Sequence, residues 1–129
     1  MIIELLNLEL SFFILRSVAG IFFMAHGYPK LFRNFRGTAE FLRSLGFRPA
    51  LAWALLLGSV EFFGGLLLLI GVWTQVIAAL LALVMLVALA KVKFGKESFV
   101  GGWELDFLAF GIALALVFGL PGGILWGSF

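Results

Sequence analysis

The sequence predicts an all-α fold: a bundle of four transmembrane helices, with a short amphipathic interfacial helix between the first and second spans. Four observations predict it. Apolar residues make up 64% of the 129 residues and charged residues only 12%, roughly half the charged share of an ordinary soluble domain. Mean hydropathy is +1.19, and a small water-soluble domain keeps too much of its surface exposed to hide that many apolar side chains. Four stretches reach the length of about 20 mostly apolar residues that a helix needs to cross a bilayer. Finally, the basic residues are confined almost entirely to two of the connections.

The first span covers residues 10–28 and is rich in Phe and Ile. The N-terminus lacks a basic region, carries Glu4 and Glu9, and has Arg16 inside its apolar run. It is therefore expected to stay as a membrane helix rather than be cleaved as a signal peptide. The connection over residues 29–48 is polar. Within it Thr38 is placed to cap a short helix that Gly46 ends, with Phe41, Leu42 and Leu45 on one face and Glu40 and Arg43 elsewhere. Such a helix suits a membrane surface.

The second span covers residues 50–72, with Pro49 expected at the first helical position. The third covers 74–92 and contains the uninterrupted apolar run 76–90. Only Trp73 separates the two, which predicts a tight antiparallel hairpin. The fourth covers 103–120 and is expected to stop at Pro121-Gly122-Gly123. Together the four spans are read as one membrane domain over residues 1–129.

Lys30, Arg33, Arg36, Arg43 and Arg48 lie in the first connection, and Lys91, Lys93 and Lys96 in or beside the third. These are eight of the nine basic residues. The positive-inside rule then puts loops 29–49 and 93–102 in the cytoplasm of a multi-pass cell-membrane protein, with both termini outside. Trp53, Trp73, Trp103 and Trp126 fall near helix ends, as an aromatic belt requires. Small residues recur at intervals of four: Ala50, Ala54 and Gly58; Ala78 and Ala82; Gly111, Ala115 and Gly119. Such stripes let helices approach closely in lipid, inside the bundle or across a homodimer.

Composition excludes several chemistries. There is no cysteine, so disulfides, thiolate metal sites and thiol redox chemistry within this chain are ruled out. The single histidine, His26, rules out a haem held by two of its own histidines. One histidine with scattered carboxylates matches no metal-ligand spacing, so no metal is expected. A net charge of +2 carries no sign of nucleic-acid binding.

The candidate site residues are the charges in or beside the spans. Arg16 and Glu61 are both embedded, and an unpaired charge at the bilayer centre costs roughly 2.5–3.5 kcal/mol on insertion scales. Counted from the expected outer helix ends, their levels differ by about 7 Å. The two are therefore expected to pair, or Glu61 to carry a proton. At the cytoplasmic edge His26 and Lys30 are four residues apart and share a helix face. Glu104 and Asp106 open the fourth helix at the same level, where carboxylates complement the helix dipole. A Lys30 bridge to Glu104 or Asp106 is expected, with Glu104 the more inward of the two. This polar cluster either fixes helix packing or lines a ligand site.

Several features together resemble the DoxX family of small four-helix membrane proteins. They are Arg16 and Gly20, then Gly27-Tyr28-Pro29-Lys30-Leu31, then Glu61 with the Gly64–Gly71 segment, Thr74, and Glu104-Leu105-Asp106. Two positions depart from that pattern: Gln75 replaces an expected basic residue, and the tail over residues 122–129 has no acidic ending. The resemblance implies a four-helix membrane bundle. Some members look like subunits of thiosulfate:quinone oxidoreductase, and others like partners of redox-defence or sulfur-handling proteins. Receptor-assembly chaperones and sterol isomerases are similar in architecture.

Three functions are consistent with these residues. The first is an accessory membrane subunit with no intrinsic cofactor. It binds a quinone or another isoprenoid-like lipid near Arg16 and Glu61 and works beside a redox-protein partner. The second is an assembly protein whose ion pairs only fix packing. The third is an enzyme using Glu61 or Glu104 as acid–base group on a lipid-soluble substrate.

Overall fold

The computed structural model describes residues 1–93 and 97–119. All regular structure among them is helical: α1 (Ile2–Tyr28), α2 (Phe35–Ser44), α3 (Ala50–Ile70), α4 (Thr74–Val87) and α5 (Glu104–Val117). Wider π-helical turns extend α1 through Pro29–Arg33 and α4 through Ala88–Lys93. With these extensions, four helices are long and apolar enough to cross a membrane: Ile2–Arg33, Ala50–Ile70, Thr74–Lys91 and Phe99–Val117.

α1 is longer than its apolar run, beginning eight residues before residue 10. At its other end Pro29 has no N–H to continue the α-helical ladder. The chain responds with an i→i+5 turn closed by Asn34 N–H donating to the Pro29 carbonyl. α2 starts four residues earlier than the sequence suggests. Asn34 stands at the cap, and Thr38 lies inside the helix, where its hydroxyl donates to the Asn34 carbonyl. Gly46, at φ 95°, ends it as expected. Leu42 and Ala39 are buried against Ala50 and Ala54 of α3, whereas Phe41 faces outward.

α3 begins at Ala50, with Pro49 as its cap rather than its first residue. It ends at Gly71, whose left-handed φ of 84° lets its N–H reach the Leu67 carbonyl. The α3–α4 connection is thus Gly71–Trp73, three residues rather than one. Before α5 the chain turns at Val100 and Gly101, and Gly101 N–H donates to the Glu104 carboxylate at 3.0 Å. The expected Pro121 stop and Trp126 lie outside the described residues.

The main core joins α1, α3, α4 and α5 through Phe23, Leu68, Leu81, Met85, Ala113 and Leu116. Leu5, Ile21, Leu55, Leu83 and Leu108 point outward, each more than half exposed. An apolar outer surface over an apolar core requires hydrocarbon as solvent. The chain is a multi-pass membrane protein in contact with the lipid bilayer. Lys91 sits over the Phe47 ring, 5.8 Å from its centre. The two basic connections therefore share one end of the bundle.

The closest helix contact is between the antiparallel α1 and α3, where glycine meets backbone. A methyl group at Gly20 would lie 2.6 Å from the Gly65 carbonyl oxygen, and one at Gly65 would lie 2.7 Å from Met24 N. A methyl at Gly27 would fall 2.5 Å from Phe62 N. Of the small-residue stripes, Ala50, Ala54 and Gly58 are buried inside the bundle, as are Ala78 and Ala82. The third stripe splits: Gly111 and Ala115 face outward, and Gly119 packs on Phe12.

Candidate functional site

The glycine contacts between α1 and α3 set a register that the hydrophobic pattern does not contain, and this register decides which charges meet. Gly27 lies against Glu61 and Phe62, while Gly20 lies against Gly65 and Leu69. Following the antiparallel run outward, the Arg16 guanidinium comes to rest against Gly71. Gly71 is ten residues, or about 15 Å of helix, beyond Glu61. The expected Arg16–Glu61 pair is therefore not formed. The start of an apolar run is a poor marker of depth when the helix continues past it, as α1 does.

Glu61 pairs instead with Lys30, whose Nζ donates to Glu61 Oε2 at 2.6 Å. The Glu61 side chain is 1% exposed and that of Lys30 is 33% exposed. The wide turn after Pro29 brings Lys30 and Leu31 onto α3, with Leu31 packed on Gly58. The expected Lys30 bridge to Glu104 or Asp106 is replaced by this pair. Glu104 turns back to the Gly101 amide and acts as a local cap, and Asp106 stands in the first turn of α5.

His26 shares neither partner with Lys30. Its ring stacks on Phe22 with centroids 4.1 Å apart, and Nδ1–H donates to the Phe22 carbonyl. The side chain faces outward. Phe22, Val18, Leu105, Leu108 and Ile112 line a shallow apolar groove between α1 and α5. His26 lies one turn beyond this groove.

Sequence reasoning missed an aromatic cluster on the residues next to the ion pair in sequence. Tyr28 and Phe32 flank Lys30 in sequence, and Phe62 follows Glu61. Tyr28 and Phe32 have centroids 5.3 Å apart, Phe32 and Phe62 also 5.3 Å, and Phe62 touches Phe63 edge-on. Tyr28, Phe32 and Phe63 are about half exposed. The i,i+4 spacing of Tyr28 and Phe32 was the available signal, diluted by the abundance of Phe. Also missed was Gln75, whose Nε2 donates to the carbonyls of Val117 at 2.9 Å and Gly119 at 3.1 Å. It satisfies carbonyls at the end of α5, where the last turn of a helix leaves its acceptors without intrahelical donors.

Chemically, the arrangement is a buried carboxylate held by an ammonium that is one-third exposed, with a cluster of aromatic rings on the neighbouring residues of the same two helices. Lys30 can donate a hydrogen bond to a ligand carbonyl, and the ring cluster offers flat apolar contact.

Comparison with known proteins agrees with this architecture. No solved structure matches the chain. The Bacillus subtilis (strain 168) protein named "Putative oxidoreductase CatD" is 33% identical over 102 residues, covering 79% of this chain and 73% of the relative. The DoxX family model matches residues 11–93. That span holds Arg16, Lys30 and Glu61 and stops short of Glu104 and Asp106. On the family match and the length of the CatD similarity, the chain belongs to the DoxX family.

Proposed function

We propose that this protein is an accessory membrane subunit that binds a quinone or another isoprenoid-like lipid and works beside a redox protein. The observation that carries the reading is the Lys30–Glu61 pair, with Glu61 buried and Lys30 a third exposed, on the same stretch of α1 and α3 that carries the ring cluster of Tyr28, Phe32 and Phe62. A pair that only locked the helices together would have no need of an ammonium left one-third exposed. A quinone headgroup accepts a hydrogen bond at its carbonyl and stacks on the rings, while its tail follows an apolar surface such as the α1–α5 groove.

Two further points support the reading. The relative CatD bears an oxidoreductase name. This chain, without cysteine and with a single histidine, offers few groups of its own to carry electrons, which favours an accessory role.

The test is titration of the detergent-purified chain with a short-chain ubiquinone and a short-chain menaquinone, read by tryptophan fluorescence. Saturable binding is expected, weakened about tenfold in Phe62→Leu, which removes the ring face but keeps the ion pair; aromatic stacking of this kind is worth on the order of 1 kcal/mol or more. A folded wild-type protein that shows no saturation with either quinone overturns the reading and leaves the pair as a packing lock.

A further inference from the structure

At the end of the bundle away from Lys30, four helices converge on a second polar cluster. We propose that Arg16, the Thr74 hydroxyl and the first amides of α4 form a site for a phosphate-type oxyanion, supplied by a phospholipid headgroup or by free inorganic phosphate. This site lies about 15 Å of helix from Glu61 and is independent of the quinone reading.

Arg16 is 3% exposed. Its guanidinium packs against Gly71, where any side chain would collide with it, and lies over the Phe13 ring at 5.2 Å. Three residues further on, past the left-handed Gly71 and Trp73, the chain enters α4 at Thr74. Thr74 is also 3% exposed, and its Oγ1 has no hydrogen-bond partner among the described residues. A buried hydroxyl in that condition calls for a ligand or an ordered water.

α4 starts with no side-chain cap and no acidic residue in its first turn. Its first hydrogen-bonded amide donor from inside the helix is Ile77, to the Trp73 carbonyl. The amides of Thr74, Gln75 and Val76 precede it and have no intrahelical acceptor. They carry the positive end of the helix dipole.

α5 reaches the same end of the bundle. The Gln75 amide nitrogen is committed to the α5 carbonyls of Val117 and Gly119. Gly119 in turn packs on Phe12, one turn before Arg16. A guanidinium, a hydroxyl and helix-terminal amides together match the charge and the several acceptor oxygens of a phosphate group.

The experiment uses the full chain purified in detergent, with two arms. Native mass spectrometry of protein extracted from membranes of phosphatidylglycerol and phosphatidylethanolamine reads retained lipid. Thermal unfolding of delipidated protein against inorganic phosphate, with chloride at equal ionic strength as control, reads the free ion. Thr74→Val keeps the side-chain shape and Arg16→Gln removes the charge.

One retained phospholipid per chain, lost in Thr74→Val, supports the site and identifies the headgroup as its source. A saturable rise in Tm with phosphate, weakened about tenfold in Thr74→Val, supports it with the free ion as source. Neither effect in the wild type, or both unchanged in Thr74→Val, overturns the proposal even if Arg16→Gln does not fold.

Discussion

Lys30 and Glu61 share one hydrogen bond but not one environment, so losing either has a different cost. Glu61 is sealed inside the bundle, whereas a third of Lys30 reaches the surface. Lys30→Met leaves a buried carboxylate without its cation and should destabilise by about 3 kcal/mol. Glu61→Gln leaves an ammonium that can extend toward water, so its cost should be about 1 kcal/mol. The double variant should recover most of the Lys30→Met loss, because an apolar and a neutral side chain replace an orphaned charge. Thermal unfolding in detergent measures all three. Equal losses in the two single variants, with no recovery in the double, would contradict the pair. Exchanging the charges of Arg16 and Glu61 should rescue nothing, since the two lie about 15 Å apart along the bundle. That distance was hidden in the sequence. Both charges were visible as misfits in apolar runs, but their levels depend on a register made by Gly20, Gly27 and Gly65, and no local pattern encodes which backbone a glycine will touch.

Among the elements, α1 and α3 pack most closely, and adjacent glycines on α3 do different work there. Gly65 faces the α1 backbone, while a methyl at Gly64 would meet Ile77 and Leu81 side chains at 3.4–3.6 Å, ordinary contact distance. Gly65→Ala should therefore force the helices apart and cost about 2 kcal/mol. Gly64→Ala should be neutral or slightly stabilising, because alanine is the better helix former. Thermal unfolding of the two variants side by side decides this, and similar losses would refute the proposed crossing. Helix existence was legible from run length and hydropathy, and α2 from its amphipathic pattern. Helix ends were less so. α1 begins eight residues before its expected span, and at its other end a π-helical turn absorbs Pro29 where a helix stop would be the simpler expectation.

For the whole molecule, the two basic connections meet at one end of the bundle through Lys91 and Phe47. The positive-inside rule predicts that this end is cytoplasmic. The absence of cysteine makes the test free of background. Single substitutions Ser44→Cys and Ser98→Cys should resist an impermeant maleimide in intact cells and react after permeabilisation, and Trp73→Cys should react in intact cells. The reverse pattern would invert the topology.

The amino-acid sequence by itself determined the solvent of this protein, the number of its long helices and the clustering of its basic residues. These follow from sums over many residues: hydropathy over about 20 positions, and charge counted per connection. Single errors average out in such sums. Only the tertiary structure decided that Lys30 rather than Arg16 holds Glu61, that Arg16 seats on Gly71, and that Gln75 secures the end of α5. Each of these depends on one backbone contact between helices distant in sequence. A shift of one helical turn, about 5.4 Å, exchanges every partner while leaving composition and periodicity untouched.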